Sequence, residues 1–227
     1  MISGETRLVG LIGNPVSASL SPRMQNAALA ARGLDWSYVP LPVEPHELAD
    51  ALRGLIALGF IGVNVTAPYK LEVARIVGAD EPSVNTLVVR DGRIEATSTD
   101  AAVLEGRDFD RPIVLGSGGA ATAFLAALPG ARHFSRRAEW PPDVSGADLV
   151  VNATSERDAV LVELGARQML VDLPYPETAT ARAAQEAGAD VITGLEVLVA
   201  QGAASFELWT GFPASVEVMR RALGLPA

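Results

Sequence analysis

The sequence predicts an α/β protein made of two α/β domains, each a mostly parallel sheet with helices packed on it. Three observations predict this. Short apolar runs alternate with stretches of helical periodicity, the pattern of βαβ units. A glycine-rich turn, Gly116-Ser117-Gly118-Gly119, stands between an apolar run and an alanine-rich helix, halfway along the 227 residues. Hydrophobic residues make up 49% of the chain and charged residues 20%, enough for a packed core over that length.

Leu8 to Ile12 reads as the first strand, closed by Gly13-Asn14-Pro15. Ser21-Pro22 starts a helix, with Ser21 as N-cap and Pro22 at the first helical position, and Gly33 ends it as a C′ residue. Trp36 to Val43 alternates as a second strand. Leu48, Leu52, Leu55 and Ile56 share one helical face. Ile61 to Val65 is the third strand, and a helix follows Pro68. Val84 to Val89 and Arg93 to Thr97 flank Asp91-Gly92, a two-residue hairpin signal. Asp100 to Gly106 reads as a short helix, and the charged Arg107-Asp108-Phe109-Asp110 as a hinge. Ile113 to Leu115 is the next buried strand, and the alanine-rich helix runs to Leu128, where Pro129-Gly130 stops it. Arg132 to Phe134, Leu149 to Val151, Met169 to Val171 and Val191-Ile192 are strands, and Thr178 to Ala187 is a helix. The chain is helical again from Leu195 to about Thr210 and from about Ser215 to Leu223.

Composition excludes several function classes. The net charge of -9 argues against non-specific binding to nucleic acid or an anionic membrane. Without cysteine there is no disulfide, no thiolate catalysis and no Cys-based zinc or iron–sulfur site. The two histidines, His46 and His133, lack metal-ligand spacing and read as surface residues. No apolar run reaches membrane-spanning length and the first residues lack a signal-peptide core. The expectation is a cytoplasmic protein with no nucleic-acid, membrane or metal partner.

The polar residues cluster at strand ends. Asn64-Val65-Thr66-Ala67-Pro68-Tyr69-Lys70 leaves a buried strand for a turn that proline restricts, and that end of an open α/β sheet is where ligands bind. Asn85-Thr86 and Thr99-Asp100 are further clusters. Together with the glycine-rich turn they describe a small polar substrate beside a dinucleotide. In Gly116-x-Gly118-Gly119-x-Ala121, absent side chains let the backbone approach a pyrophosphate at a helix N-terminus, although such turns also serve plain strand–helix connections. After the following strand, Ser135-Arg136-Arg137 offers guanidinium groups to a 2′-phosphate where an NAD site wants a carboxylate, which favours NADP. Lys70 with Asp100 can deliver a proton to a carbonyl oxygen during hydride transfer, or Lys70 is a helix-start lysine and Asp100 an N-cap. Asn64, Thr66 and Asn85 bind substrate hydroxyls or cap turns, and Asp172 reads as a strand-end cap.

These motifs, in order and nearly end to end, resemble the shikimate dehydrogenase family. They include Ser19-Leu20-Ser21-Pro22, Gly62-Val63-Asn64-Val65-Thr66-x-Pro68-x-Lys70, Val84-Asn85-Thr86, Thr99-Asp100, Asn152-Ala153-Thr154, Asp172-x-x-Tyr175, Gly194-Leu195-Glu196-x-Leu198-Val199-x-Gln201 and Phe206-Glu207-Leu208-Trp209-Thr210-Gly211. The resemblance implies reversible NADPH-dependent reduction of 3-dehydroshikimate to shikimate, in aromatic amino-acid biosynthesis. Lys70 and Asp100 would be the catalytic pair. Ser19, Ser21, Asn64, Thr66, Asn85, Tyr175 and Gln201 would hold the substrate. Gly116, Ser117, Gly118, Gly119, Ala120, Ser135, Arg136, Arg137 and Gly194 would hold NADP. It further implies a substrate domain of residues 1–103 plus 200–227 and a Rossmann-like NADP domain of residues 104–199. The last helices fold back on the first domain, the active site lies between the domains, and the protein is a monomer or homodimer. A quinate or related hydroxy-acid dehydrogenase, or a cofactor-impaired binding relative, is the alternative.

The chain departs from the family pattern at several positions. Ala18 and Gln25 replace frequent histidines, Ser98 replaces an asparagine, Ser135-Arg136-Arg137 replaces Asn-Arg-Thr, and Ser155-Glu156-Arg157 lacks the usual glycine turn. The largest departure is Ala138 to Ala147, ten residues with Pro141-Pro142 where a parallel crossover normally carries a helix. The second crossover helix of the cofactor domain is expected to be missing.

Overall fold

The computed structural model describes residues 2–226 apart from 138 and 141. The chain divides into two compact units, Met1–Thr99 with Val199–Ala227, and Asp100–Leu198.

The first unit holds a five-stranded sheet in the order β2-β1-β3-β4-β5. Strand β1 (Arg7–Gly13) lies between β2 (Trp36–Pro42) and β3 (Gly62–Val65), parallel to both. Strands β4 (Thr86–Arg90) and β5 (Arg93–Thr97) add antiparallel. They are joined by Asp91 and Gly92 at φ 49° and 71°, the left-handed pair a type I′ hairpin requires. Strand alternation sends Val63 and Val65 into a core with Ile12, Leu87, three leucines of α2 (Leu48–Ala57) and Val73 of α3 (Lys70–Val77). The intervening Asn64 faces the other way, toward α6 (Gly194–Thr210), whose Ser205, Phe206 and Trp209 are buried. Trp209 Nε1 donates to the Leu87 carbonyl at 2.9 Å. Helix α1 (Ser21–Ala31) packs against α7 (Val216–Ala222), so the C-terminal helices complete the first unit.

The second unit holds a parallel sheet in the order β10-β9-β8-β6-β7. Its strands are β6 (Pro112–Leu115), β7 (Arg132–Phe134), β8 (Leu149–Asn152), β9 (Met169–Asp172) and β10 (Asp190–Ile192). One face carries Val114, Leu149 and Val151 against Ala121 and Phe124 of α4 (Gly119–Ala127). The other carries Ile113, Leu115, Val150 and Leu170 against Ala181 and Ala184 of α5 (Ala179–Glu186). Between β7 and β8 the described residues contain no helix. Val144 and Ala147 of that coil, with Val162 and Leu164 further on, pack on the second face where a crossover helix would lie.

Several local expectations are corrected. Ser21 is not an N-cap. The N-cap is Leu20, in right-handed helical conformation with no side-chain cap, and Ser21 already belongs to α1. The helix expected over Asp100 to Gly106 is only a 3₁₀ turn, Ala102–Leu104. The stretch 107–110 is not where the chain passes from one unit to the other. Leu104 and Phe109 pack in the same core as Val114 and Phe124, so the second unit already begins at Asp100.

Candidate functional site

In the second unit, a cavity of about 420 Å³ opens at the carboxyl ends of β6, β7 and β8. It is lined by Gly116, Ser117 and Gly118 on one side and Ser135, Arg136 and Arg137 on another, with Trp140 and 153–156 completing it. Gly116 is required here: its φ is +125°, and a Cβ would stand 2.7 Å from the Ala153 carbonyl. Its amide donates to the Phe134 carbonyl at 3.0 Å. Its own carbonyl accepts from His133 Nε2, so that nitrogen carries the proton and His133, expected to be idle, fixes the turn. Gly119 and Ala120 open α4 and do not line the cavity. Gly194, the first residue of α6, is explained by packing, since a Cβ would meet the carbonyls of Leu173 and Pro174 at 2.4 and 2.5 Å.

The cavity residues not foreseen as cofactor-binding from the sequence are Trp140 and 153–156, Trp140 and Glu156 chief among them. The Arg136 guanidinium lies 5.9 Å from the Trp140 ring centroid and pairs with Glu156 at 3.1 Å. Backbone N–H groups of 157–159 donate to the other Glu156 oxygen. Those N–H groups, Asp158 foremost, and Arg136 hold the Glu156 carboxyl below the usual glutamate range. Below the cavity, Asn152 Nδ2 donates to Asp172 at 2.7 Å, and Asn152 Oδ1 accepts from the Thr154 amide and hydroxyl.

Burial pushes the Asp172 carboxyl above its ordinary value, against the bonds from Asn152 and Thr178. The folded state therefore keeps this proton longer than the unfolded chain. That stability is complete below the ordinary aspartate value and is lost as pH rises through the raised one. The wild type's stability advantage over Asp172→Asn is expected to shrink as pH rises from the ordinary aspartate value through the raised one. Urea denaturation at several pH values measures it, and a pH-independent difference would remove the assignment.

In the first unit, a buried hydroxyl and amide network ties β3, β4 and α6 together. Asn64 Nδ2 faces the Asn85 carbonyl, Thr86 Oγ1 and Ser205 Oγ at 2.9 to 3.2 Å, and Asn64 Oδ1 accepts from the Tyr38 hydroxyl. Asn85 Nδ2 donates to Gln201 Oε1 at 3.2 Å, and its Oδ1 accepts from the Thr99 amide at 2.7 Å. Ser205 contacts Thr86 and Thr99 and donates to the Gln201 carbonyl. Asn64, Asn85 and Gln201 are thus brought together, with Asn64 acting as an organiser of the network. Ser205 at its hub had only one sequence signal, a hydroxyl one helical turn after Gln201.

Elsewhere in this unit, Ser19 Oγ accepts from the Ser21 amide at 3.2 Å. The hydroxyls of Ser21 and Thr66 have no hydrogen-bond partner among the described residues. Lys70 is half-buried at the first position of α3. In the second unit, Asp100 is only 6% exposed, and Tyr175 is half-buried after β9, followed by a cis peptide bond to Pro176. Gln25, at a position where the resemblance expects histidine, donates to the Gly202 carbonyl while its buried Oε1 has no partner.

Residues 11–87 match the family model for the shikimate dehydrogenase substrate binding domain. Residues 194–223 match the model for the shikimate 5'-dehydrogenase C-terminal domain. The NADP(+) shikimate dehydrogenase of Anaeromyxobacter dehalogenans is 40% identical over 272 aligned positions that cover 98% of each chain. Since this chain has 227 residues, that relative carries tens of residues with no counterpart here. A shikimate dehydrogenase crystallised with NADP+ superimposes with TM-score 0.88 at 30% identity, covering 98% of this chain and 96% of that one. The Thermus thermophilus enzyme in complex with NADP(H) and shikimate does so with TM-score 0.81 at 30% identity, covering 96% and 98%. With its two sheets, its glycine turn and this identity over almost its whole length, the chain belongs to the shikimate dehydrogenase family.

Proposed function

We propose that this chain catalyses the reversible, NADP-dependent reduction of 3-dehydroshikimate to shikimate, in the cytoplasm, as a monomer or homodimer. The observation that carries the reading is the end-to-end correspondence with shikimate dehydrogenases at 40% identity. The cavity of the second unit fits the cofactor on its own terms. The turn at Gly116 admits no Cβ, Gly118 faces open space, and Arg136 retains guanidinium donors beyond the one given to Glu156.

NADPH when bound supplies the hydride, and the residues of the chain do the rest. The backbone of 116–118, ahead of the α4 N-terminus, would meet the pyrophosphate, while Ser135, Arg136 and Arg137 would take the 2′-phosphate. Lys70 gives a proton to the ketone oxygen as it becomes a hydroxyl and recovers it in the reverse direction, with Asp100 as its acid–base partner. Ser19, Ser21, Thr66, Tyr175 and Gln201 hold the carboxylate and hydroxyls of the substrate. The unpartnered hydroxyls of Ser21 and Thr66 suit that task. Asn64 and Asn85 hold the network under it. The first unit is accordingly the substrate domain and the second the cofactor domain.

The test is absorbance at the NADPH band with purified protein, NADP and shikimate, repeated with NAD and with quinate. Shikimate-dependent NADPH formation that exceeds the rate with quinate is expected. Folded protein that reduces neither nucleotide with either acid would overturn the reading.

A further inference from the structure

We propose that Glu156 sets the cofactor preference of this chain: it competes with the nucleotide 2′-phosphate for Arg136 and so narrows the preference for NADP over NAD. The inference rests on the cofactor reading of the cavity given above.

Three features of the cavity carry it. First, Glu156 is a fixed acceptor. One carboxylate oxygen receives the backbone N–H groups of 157–159 at 3.1 to 3.4 Å, so swinging the side chain away when a phosphate arrives would break these bonds. Second, its other oxygen holds Arg136 Nη2 at 3.1 Å, in a pair whose Arg side chain is 65% exposed and faces the cavity. Third, Trp140 confines the guanidinium from another side, with the arginine carbon 5.9 Å from the ring centroid. Arg136 is therefore already engaged when the protein is free.

A 2′-phosphate dianion reaching this arginine must share it with a carboxylate that retreats only by giving up its loop amides. Like charges converging on one guanidinium lose much of what a bidentate arginine–phosphate pair provides. A ribose 2′-hydroxyl meets the opposite situation. It is neutral, needs no guanidinium, and can donate to a carboxylate of the kind that recognises NAD in other dinucleotide folds. The carboxylate here stands after β8 rather than after β7, where the sequence shows arginines and no acid. The same residue thus weakens binding of one cofactor and supports the other.

Glu156→Gln separates this role from a structural one, because glutamine Oε1 can still accept the loop amides while losing the charge that holds Arg136. Isothermal titration with adenosine 2′,5′-bisphosphate and with AMP reads the 2′-phosphate contribution without any turnover. Glu156→Gln is expected to tighten adenosine 2′,5′-bisphosphate at least about fivefold while leaving AMP unchanged or weaker, since one charge–charge contact near the surface is worth on the order of a tenfold effect. In an Arg136→Ala background the gain is expected to vanish, and the double-mutant cycle reports this directly. Thermal melting of Glu156→Gln is expected to match the wild type.

A bisphosphate-to-AMP affinity ratio that is unchanged or lowered in Glu156→Gln overturns the inference, as does a gain that survives Arg136→Ala. Wild-type protein that binds neither nucleotide saturably overturns the cofactor reading as well, whereas binding of both with an unmoved ratio overturns only the role of Glu156.

Discussion

Replacing Gly62 with alanine is expected to destabilise the first unit by about 3 kcal/mol or more, because overpacking against rigid neighbours gives the upper end of the usual range. The new Cβ would lie 2.2 Å from the Leu87 carbonyl oxygen and 2.4 Å from Trp209 Nε1. Those two atoms are hydrogen bonded to each other, and Gly62 pairs with Val88 in the β3–β4 ladder. Neither neighbour is the loose end of a flexible chain. One is backbone inside a sheet, and the other is an indole buried between that sheet and α6. The added methyl must therefore separate β3 from β4 or lift α6 with Ser205 and the polar network beneath it. Urea denaturation followed by tryptophan fluorescence measures the loss. Gly54→Ala serves as a control, since nothing lies within 4 Å of a Cβ there. A Gly62→Ala midpoint equal to the wild type's would contradict the packing described.

Lys70→Ala is expected to lower kcat by about 10²–10⁴-fold, the usual worth of a positioned acid–base group, with KM changed far less. Lys70 is the first residue of α3, where a cation opposes the helix dipole. Stopped assays with shikimate and NADP, paired with melting curves, check both halves. A variant with near-normal turnover removes Lys70 from the acid–base role.

The strands and helices were legible because their periods are local: alternation in β2, the leucine face of α2 and the turn dipeptide at Asp91-Gly92 each declare themselves within a few residues. The short crossover was legible from proline and length alone. Ser21 misled because a serine before proline has two readings, and only backbone conformation at Leu20 shows that the helix has already begun. The stretch 107–110 misled because its charges suggest a linker, while Phe109 packs inward. What stayed invisible depends on distant parts of the chain meeting. Arg136 and Glu156 pair across 20 residues, and Ser205 reaches Asn64 across 141. No window along the sequence contains both partners, and neither partner is unusual by itself.

The discontinuity of the first unit also sets an order of events during synthesis. Asn64, Thr86 and Thr99 are made early, but the serine that joins them and the indole that lies over Gly62 come after residue 198. Until those residues emerge, a nascent chain carries an amide and two hydroxyls that the finished core buries, with nothing opposite them. Residues 100–198 form a continuous stretch that can close its own core first. Ribosome-bound intermediates should accordingly present a folded middle beside an open beginning, and the final segment works as the keystone of a domain begun two hundred residues before it.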